Sequence, residues 1–128
     1  MKRLVVDASA LAAVVFQEPE EETVSQRLDG AIVFAPALLQ FELASAAWKK
    51  VRQRPADAAR ILSALSLALD GRWNLNWQDV QPTDVVLVAQ ATGLSVYDAS
   101  YLWLAGALGA ELVTLDARLA AAGHAMAT

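Results

Sequence analysis

Four acidic side chains stand where the sequence otherwise looks like the interior of a protein. They are Asp7, Glu42, Asp98 and Asp116. Ionised carboxylates are rarely buried without a partner, and two unit charges about 4 Å apart repel by roughly 4 kcal/mol at an effective dielectric constant near 20. If the fold gathers these acids, a cation must be added, and oxygen ligands without His or Cys favour Mg²⁺ or Mn²⁺. A metal-activated water at such a site can hydrolyse phosphodiester bonds.

The expected positions of the four acids converge on one edge of a sheet. Asp7 and Asp116 each close an apolar run, LVVD and ELVTLD, and each is expected at the carboxyl end of a strand. Asp98 is predicted to begin a helix on the same edge, where ligands bind in parallel α/β sheets. Glu42 lies within a helix and is expected to face the protein, because of its position on the helical arc. It shares this arc with Leu38, Leu39, Phe41, Ser45 and Ala46.

Helix capping is the alternative role for three of the acids. Aspartate is a preferred N-cap residue, so Asp7, Asp98 and Asp116 could each accept backbone hydrogen bonds where a helix starts. Capping does not explain Glu42, which lies in mid-helix, and it does not explain why all the acids map to one edge. The metal site is therefore the favoured interpretation.

Two hydroxyl groups and two basic side chains are candidates for supporting roles. Ser9 and Thr114 each lie two residues from an acid, so they could hold a ligand carboxylate or a metal-bound water, with turn hydrogen bonds as the alternative. Lys49 lies two helical turns beyond Glu42 at nearly the same azimuth and could contact substrate phosphates. Arg118 could contact RNA or a partner protein, or it could simply solvate the surface.

Short apolar or alternating runs separated by helical periods and by Pro or Gly indicate how these residues are positioned. The predicted strands are residues 4–7, 31–34, 73–77 and 111–115. The predicted helices are residues 8–16, 19–30, 36–52, 55–71, 82–93, 98–109 and 117–122. Strands that alternate with helices imply an α/β fold with a parallel sheet covered on both faces.

The composition is that of one globular domain spanning residues 1–128. Charged residues make up 19% of the chain, below the usual fraction of about 25%, so the sheet is buried on both faces or a partner covers an apolar surface. The absence of Cys and the single His124 exclude thiolate metal sites, histidine-rich metal sites and a catalytic triad. No apolar run approaches the roughly 20 residues that span a bilayer, so we expect a cytoplasmic protein without membrane contact.

Charge and missing motifs constrain the function further. A net charge of −4 argues against a strongly basic nucleic-acid binder, although half of the ten Lys and Arg residues cluster between residues 49 and 60. Such a cluster is either a solvated helix face or a track for phosphates. The chain contains no GxxxxGK[ST], GxGxxG or GxSxG motif, so phosphate-loop, dinucleotide-binding and serine-hydrolase chemistry are not expected.

Several segments of the sequence resemble the PIN-domain ribonucleases, specifically VapC-type toxins of type II toxin–antitoxin modules. The matching segments, in order, are VVDASAL, FELASAAWK and SVYDASYLWLAGALGAELVTLDARL. The resemblance implies a three-layer α/β/α sandwich with a central, mainly parallel sheet of four to five strands. It also implies RNA cleavage with Mg²⁺ or Mn²⁺ bound by Asp7, Glu42, Asp98 and Asp116, supported by Ser9 and Thr114. Products would carry a 5′-phosphate and a 3′-hydroxyl.

The resemblance further implies partners and leaves alternatives open. Such toxins form homodimers and are inhibited by a small VapB-like antitoxin in a hetero-oligomer. A PIN-fold nuclease of RNA processing outside a toxin module is one alternative, and a non-catalytic RNA-binding or protein-binding PIN module is another. The end of the chain departs from the family pattern, because only Ala125 and Met126 are available for a final edge strand.

Overall fold

A four-stranded, entirely parallel sheet forms the centre of the protein. The computed structural model describes residues 1–127, with the backbone alone at positions 72 and 127. The strand order is β3-β2-β1-β4, so the first strand lies inside the sheet and the last lies at an edge. The strands are β1 (Arg3–Val6), β2 (Ile32–Pro36), β3 (Asn76–Gln78) and β4 (Glu111–Val113).

Helices connect these strands and cover both faces of the sheet, which confirms the three-layer α/β/α architecture. They are α1 (Ala8–Val15), α2 (Glu21–Leu28), α3 (Leu38–Gln53), α4 (Ala58–Leu67), α5 (Pro82–Thr92), α6 (Val96–Leu108) and α7 (Ala117–Ala127). A 3₁₀ turn at Pro55–Asp57 precedes α4, and a widened π turn at Ala68–Arg72 follows it. Among the described residues, no helix is long and apolar enough to cross a membrane.

Strand β1 is apolar on both faces because it lies in the core of the protein. Leu4, Val5 and Val6 are completely buried because β1 is paired on both edges, with β2 and with β4. Helix α6 packs against β1, β2 and β4, so it spans most of the sheet. These contacts bring the first turn of α6 towards the carboxyl ends of the strands, where the predicted site lies.

Several predicted boundaries differ from the structure. Strand β3 begins three residues later than predicted, because Gly71 and Asn74 adopt positive φ angles before it and turn the chain. Pro36 pairs with Gln78 as the last residue of β2, rather than opening α3. A strand end accommodates proline, which has no N–H to donate. Helix α6 begins at Val96 with Ser95 as its N-cap, two residues before the predicted start.

The C-terminal segment is helical as far as the structure describes it. Helix α7 continues well beyond the predicted end at residue 122 and includes Ala125 and Met126. These two residues therefore do not form the edge strand that was considered for them. An alanine-rich segment has high helix propensity, which favours this outcome. Strand β4 remains the edge of the sheet within the described residues.

Candidate metal-dependent nuclease site

Asp7 occupies the junction between β1 and α1 and is only 5% exposed. Its backbone N–H donates to the carbonyl of Val113, which continues the pairing of β1 with β4. Its Oδ1 accepts from the Ser9 hydroxyl at 2.8 Å and from the Ala10 N–H at 3.0 Å, so it caps α1. Its Oδ2 accepts from the hydroxyl of Thr114. These donors hold the carboxylate in one orientation.

The loop after β4 brings Asp116 to the same edge. Thr114 Oγ1 accepts from the Asp116 N–H at 3.0 Å, and Ser9 Oγ accepts from the Leu115 N–H at 2.9 Å. Asp116 Oδ1 accepts from the Leu119 N–H at 3.0 Å and thereby caps α7. The two predicted hydroxyl residues therefore connect the ends of β1 and β4. Both aspartates therefore act as helix N-caps, and Asp116 uses only one of its two carboxylate oxygens, Oδ1, for this purpose.

Asp98 lies in the first turn of α6 and is not its N-cap. The Ser95 hydroxyl accepts from the Asp98 N–H at 3.1 Å and takes the capping role. The Asp98 carboxylate makes no hydrogen bond or salt bridge with the described residues, so capping does not account for it. Its placement near a helix N-terminus favours a negative charge.

Glu42 extends from the second turn of α3 towards α6. Its Oε1 accepts a 2.5 Å hydrogen bond from the hydroxyl of Tyr101, which is 1% exposed. The expected inward arc is only partly correct, because Phe41 and Ser45 face solvent. The buried stripe of α3 consists of Leu39, Leu43 and Ala47. Glu42 therefore lies at the border of the buried face, and its partner is a phenol.

Sequence reasoning missed Tyr101, although its position carried a signal. It follows Asp98 by three residues, so both side chains lie on one face of α6. A buried tyrosine hydroxyl normally finds a hydrogen-bond partner, and the apolar run around Tyr101 offers none. A predicted inward carboxylate was therefore the natural candidate.

The four acids influence one another electrostatically. Burial raises the pKa of Asp7, hydrogen bonds from Thr114, Ala10 and Ser9 oppose this, and the charge of Asp116 adds to the increase. Burial also raises the pKa of Glu42, where the Tyr101 hydrogen bond opposes the increase and the charges of Asp98 and Asp7 add to it. Burial and these neighbouring carboxylates raise the pKa of the Tyr101 hydroxyl, which therefore stays protonated. Among the described residues, no cation forms a salt bridge with any of these acids.

Carboxylate oxygens are the ligands that a hard divalent ion prefers, but the described acids do not lie at ligand spacing. No salt bridge among the described residues involves any of the four acids. No described hydrogen bond uses Oε2 of Glu42, Oδ2 of Asp116 or either carboxylate oxygen of Asp98. As they stand, no three His, Cys, Asp or Glu residues in residues 1–127 are grouped closely enough to hold a metal. A cavity of about 650 Å³ between α1, α3 and α4 contains none of the acids.

The two basic candidates lie in different surroundings. Lys49 is exposed on α3 and forms no salt bridge within the described chain, so its charge is available to a ligand. Arg118 Nη2 donates to the Gly93 carbonyl at 3.0 Å. This bond links α7 to the end of α5, so Arg118 has a structural contact whatever else it does.

Comparisons with known proteins identify the fold and the relatives of the chain. Residues 4–125 match the PIN domain family, which spans every element that carries the four acids. The chain belongs to the PIN-domain family. Ribonuclease VapC3 of Pyrobaculum aerophilum is 32% identical over 130 residues, covering 98% of both chains. Ribonuclease VapC12 of Mycobacterium tuberculosis is 33% identical over 126 residues, covering 94% of this chain and 93% of that protein.

Two solved structures have the same fold as this chain. The crystal structure of PAE2754 from Pyrobaculum aerophilum aligns with a TM-score of 0.75 at 30% identity, covering 94% of this chain and 86% of that chain. The sarcin–ricin loop cleaving toxin VapC20 of Mycobacterium tuberculosis aligns with a TM-score of 0.68 at 16% identity, covering 94% and 95%. The second alignment supports the fold alone. Together with the curated relatives, these findings confirm the VapC-type resemblance.

Proposed function

We propose that this PIN-domain protein, a single nuclease domain spanning residues 1–128, is a Mg²⁺- or Mn²⁺-dependent endoribonuclease. The ribonuclease names of its full-length relatives support the reaction class. The metal dependence is supported by four carboxylates that influence one another electrostatically and form no salt bridge with any described residue. A divalent ion at this edge would neutralise charge on the phosphoryl group and activate a water for attack.

The side chains have separable tasks in this proposal. Ser9, Thr114 and the start of α1 hold Asp7 in place, and Tyr101 orients Glu42. Asp98 keeps both carboxylate oxygens free for a ligand. Hydrolysis by water leaves a 5′-phosphate and a 3′-hydroxyl.

Cleavage of a total RNA pool by the purified protein tests the proposal. Cleavage is expected with Mg²⁺ or Mn²⁺ and is lost on adding EDTA, and sequencing the products should find 5′-phosphates. Cleavage that persists without divalent ions contradicts the metal mechanism. Calorimetric binding of Mn²⁺ without cleavage of any RNA would instead support a non-catalytic module.

The proposed biological role is that of the toxin in a type II toxin–antitoxin module in the cytoplasm. The VapC relatives support it, and it implies homodimers and a hetero-oligomer with a small VapB-like antitoxin. The decisive observation is a neighbouring reading frame for a small DNA-binding protein. Its product should restore the growth of cells that express the nuclease. Growth that is unaffected by expression of an RNA-cleaving protein would instead favour a role in RNA processing.

A further inference from the structure

The solvent-facing side of α3 displays two large aromatic side chains beside the candidate site. Phe41 is 79% exposed and Trp48 is 58% exposed. Phe41 immediately precedes Glu42, so the pattern begins at the edge of the site. Leaving such side chains in water forgoes a large burial energy. Two large aromatic side chains exposed on one helix form an apolar patch, which makes this surface a candidate for binding.

The spacing of these aromatics is regular. Seven residues separate Phe41 from Trp48, so they lie about two turns and about 10 Å apart on nearly the same side of the helix. Ser45 is exposed between them. We call the surface formed by these side chains with Lys49 and Arg52 the α3 outer face. Because its members are on one helix, their spacing is set by the helix itself.

Positive charges border the aromatic rings. The guanidinium of Arg52 lies 5.3 Å from the centroid of the Trp48 ring, in a cation–π contact. Neither Lys49 nor Arg52 forms a salt bridge with any residue that the structure describes. The neighbouring Lys50, in contrast, pairs with Glu18 at 3.7 Å and lies over the Phe16 ring. Lys49 and Arg52 are therefore two cations that no described acid neutralises, on a protein whose net charge is −4.

We infer that the α3 outer face binds single-stranded RNA, with bases stacked on Phe41 and Trp48 and phosphates near Lys49 and Arg52. Aromatic side chains alternating with basic ones are the recognition pattern for unpaired nucleotides, whose bases can be splayed out and stacked. The core of a protein–protein interface is also enriched in aromatic residues and arginine but depleted of lysine, so Lys49 is the member of the face that favours RNA. The inference rests on the proposed ribonuclease function and extends it to the form of the substrate, an unpaired strand.

Binding measurements test this surface without interference from cleavage. The parent is the full chain carrying Asp98→Asn, incubated with Mg²⁺ and a short fluorescein-labelled oligouridine whose integrity is checked on a gel. Phe41→Ala and Trp48→Ala should each weaken binding at least about fivefold, the lower limit for losing one stacked base. Trp48→Phe should retain most of the affinity while reducing the quenching of tryptophan emission by RNA. Leu87→Ala removes an exposed apolar side chain from α5 and should change nothing.

Two results would overturn the inference. In the first, both alanine variants bind oligouridine as the parent does. In the second, they lose self-association in sedimentation at unchanged RNA affinity, which identifies the face as a protein interface. A cleavage assay with the chain that retains Asp98 distinguishes a failure of this inference from a failure of the proposed function. If that chain cleaves RNA while the variants bind normally, only the stacking surface is wrong; if it neither cleaves nor binds RNA, both proposals fail.

Discussion

The hydroxyl of Tyr101 donates a hydrogen bond to Oε1 of Glu42, joining α6 to α3 across 59 positions of sequence. Glu42 has no other described hydrogen bond, so this contact determines how its carboxylate is presented. The charges of Asp98 and Asp7 also act on this carboxylate and raise its pKa. Tyr101 therefore acts as a positioning residue for the candidate site.

Replacing Tyr101 by Phe should weaken Mn²⁺ binding about tenfold, the usual lower limit for removing a group that orients a metal ligand. The hydrogen bond also lowers the pKa of Glu42, so its loss should move the onset of RNA cleavage to higher pH. Calorimetry and a pH–rate profile measure the two effects. Tyr97→Phe is the matched control, because Tyr97 is on the same helix but exposed. Equal effects of the two changes would exclude a specific role for Tyr101.

Asp98→Asn should reduce RNA cleavage at least about a hundredfold, since the ion that it helps to bind is worth several kcal/mol. Growth inhibition should disappear with cleavage. The fold should stay intact, because the Asp98 carboxylate makes no described hydrogen bond. Asp84→Asn provides the control, as Asp84 occupies the first turn of α5, outside the site. Rapid cleavage by the Asp98 variant, measured with purified protein, contradicts the assignment.

The metal-free protein should lose stability as the pH rises above the ordinary pKa values of Asp7 and Glu42, 3.8 and 4.5. Both pKa values are raised in the folded state, so the native protein binds protons more tightly than the unfolded chain. The resulting stabilisation is complete below the ordinary values and is lost as the pH passes through the raised ones. Denaturant titrations at several pH values check this slope, which should diminish when Mn²⁺ is added.

Glu42→Gln should consequently stabilise the metal-free protein at neutral pH by about 1 kcal/mol, a typical gain from removing an unfavourable site group. Glutamine keeps an oxygen that can accept from Tyr101, so the contact survives while the charge is lost. Cleavage should fall at the same time. Glu22→Gln, an exposed change on α2, should leave both properties unaltered. A destabilised Glu42→Gln protein would show that the carboxylate is not electrostatically strained.

Thr114→Val should lower the free energy of unfolding by about 1–3 kcal/mol, because it deprives the buried Asp7 carboxylate of a hydrogen-bond donor. The lost contacts are those to Asp7 and to the Asp116 N–H. Thr114→Ser retains the hydroxyl and should preserve most of the stability and cleavage. Urea denaturation and cleavage assays give the two readouts. If the Thr114→Ser and Thr114→Val proteins lose the same stability and cleavage, the methyl group of Thr114 rather than its hydroxyl is important.

Lys49→Ala should weaken binding of single-stranded RNA and reduce the slope of log K against log salt by about 0.7, the value for one phosphate contact. Binding is measured by fluorescence anisotropy over a range of salt concentrations. Lys50→Ala is the control, because Lys50 already pairs with Glu18. A Lys49 variant with unchanged affinity and salt dependence would place this side chain outside the RNA path.

Much of the fold could be predicted because its signals are local. The apolar run before Asp7 is typical of a strand buried on both sides, and alternating strand and helix periods imply a parallel sheet. Boundaries were less predictable where a tertiary contact decides them. Pro36 ends β2 because β3 pairs beside it, and nothing near Pro36 in the sequence indicates that pairing.

The candidate site was predicted as a set of acids, but its internal contacts were not. Convergence of Asp7 and Asp116 follows from the rule that parallel strands end at one edge. The partnership of Glu42 with Tyr101 depends on how α3 lies against α6, which helical periodicity alone does not specify. For the same reason, Phe41 is exposed although it was expected on the face of α3 that points into the protein. Periodicity predicts a helical face, while the neighbouring helix determines where that face ends.

The bond between Thr114 and Asp7 spans 107 positions, and this separation has a consequence during synthesis. A ribosome makes Asp7 first, and Thr114 follows only 107 positions later. Unfinished chains that stop before β4 lack Asp116 and the hydroxyl that holds Asp7. Each polysome therefore carries nascent chains without a complete candidate site, because the site can assemble only after β4 and the loop that follows it have been made.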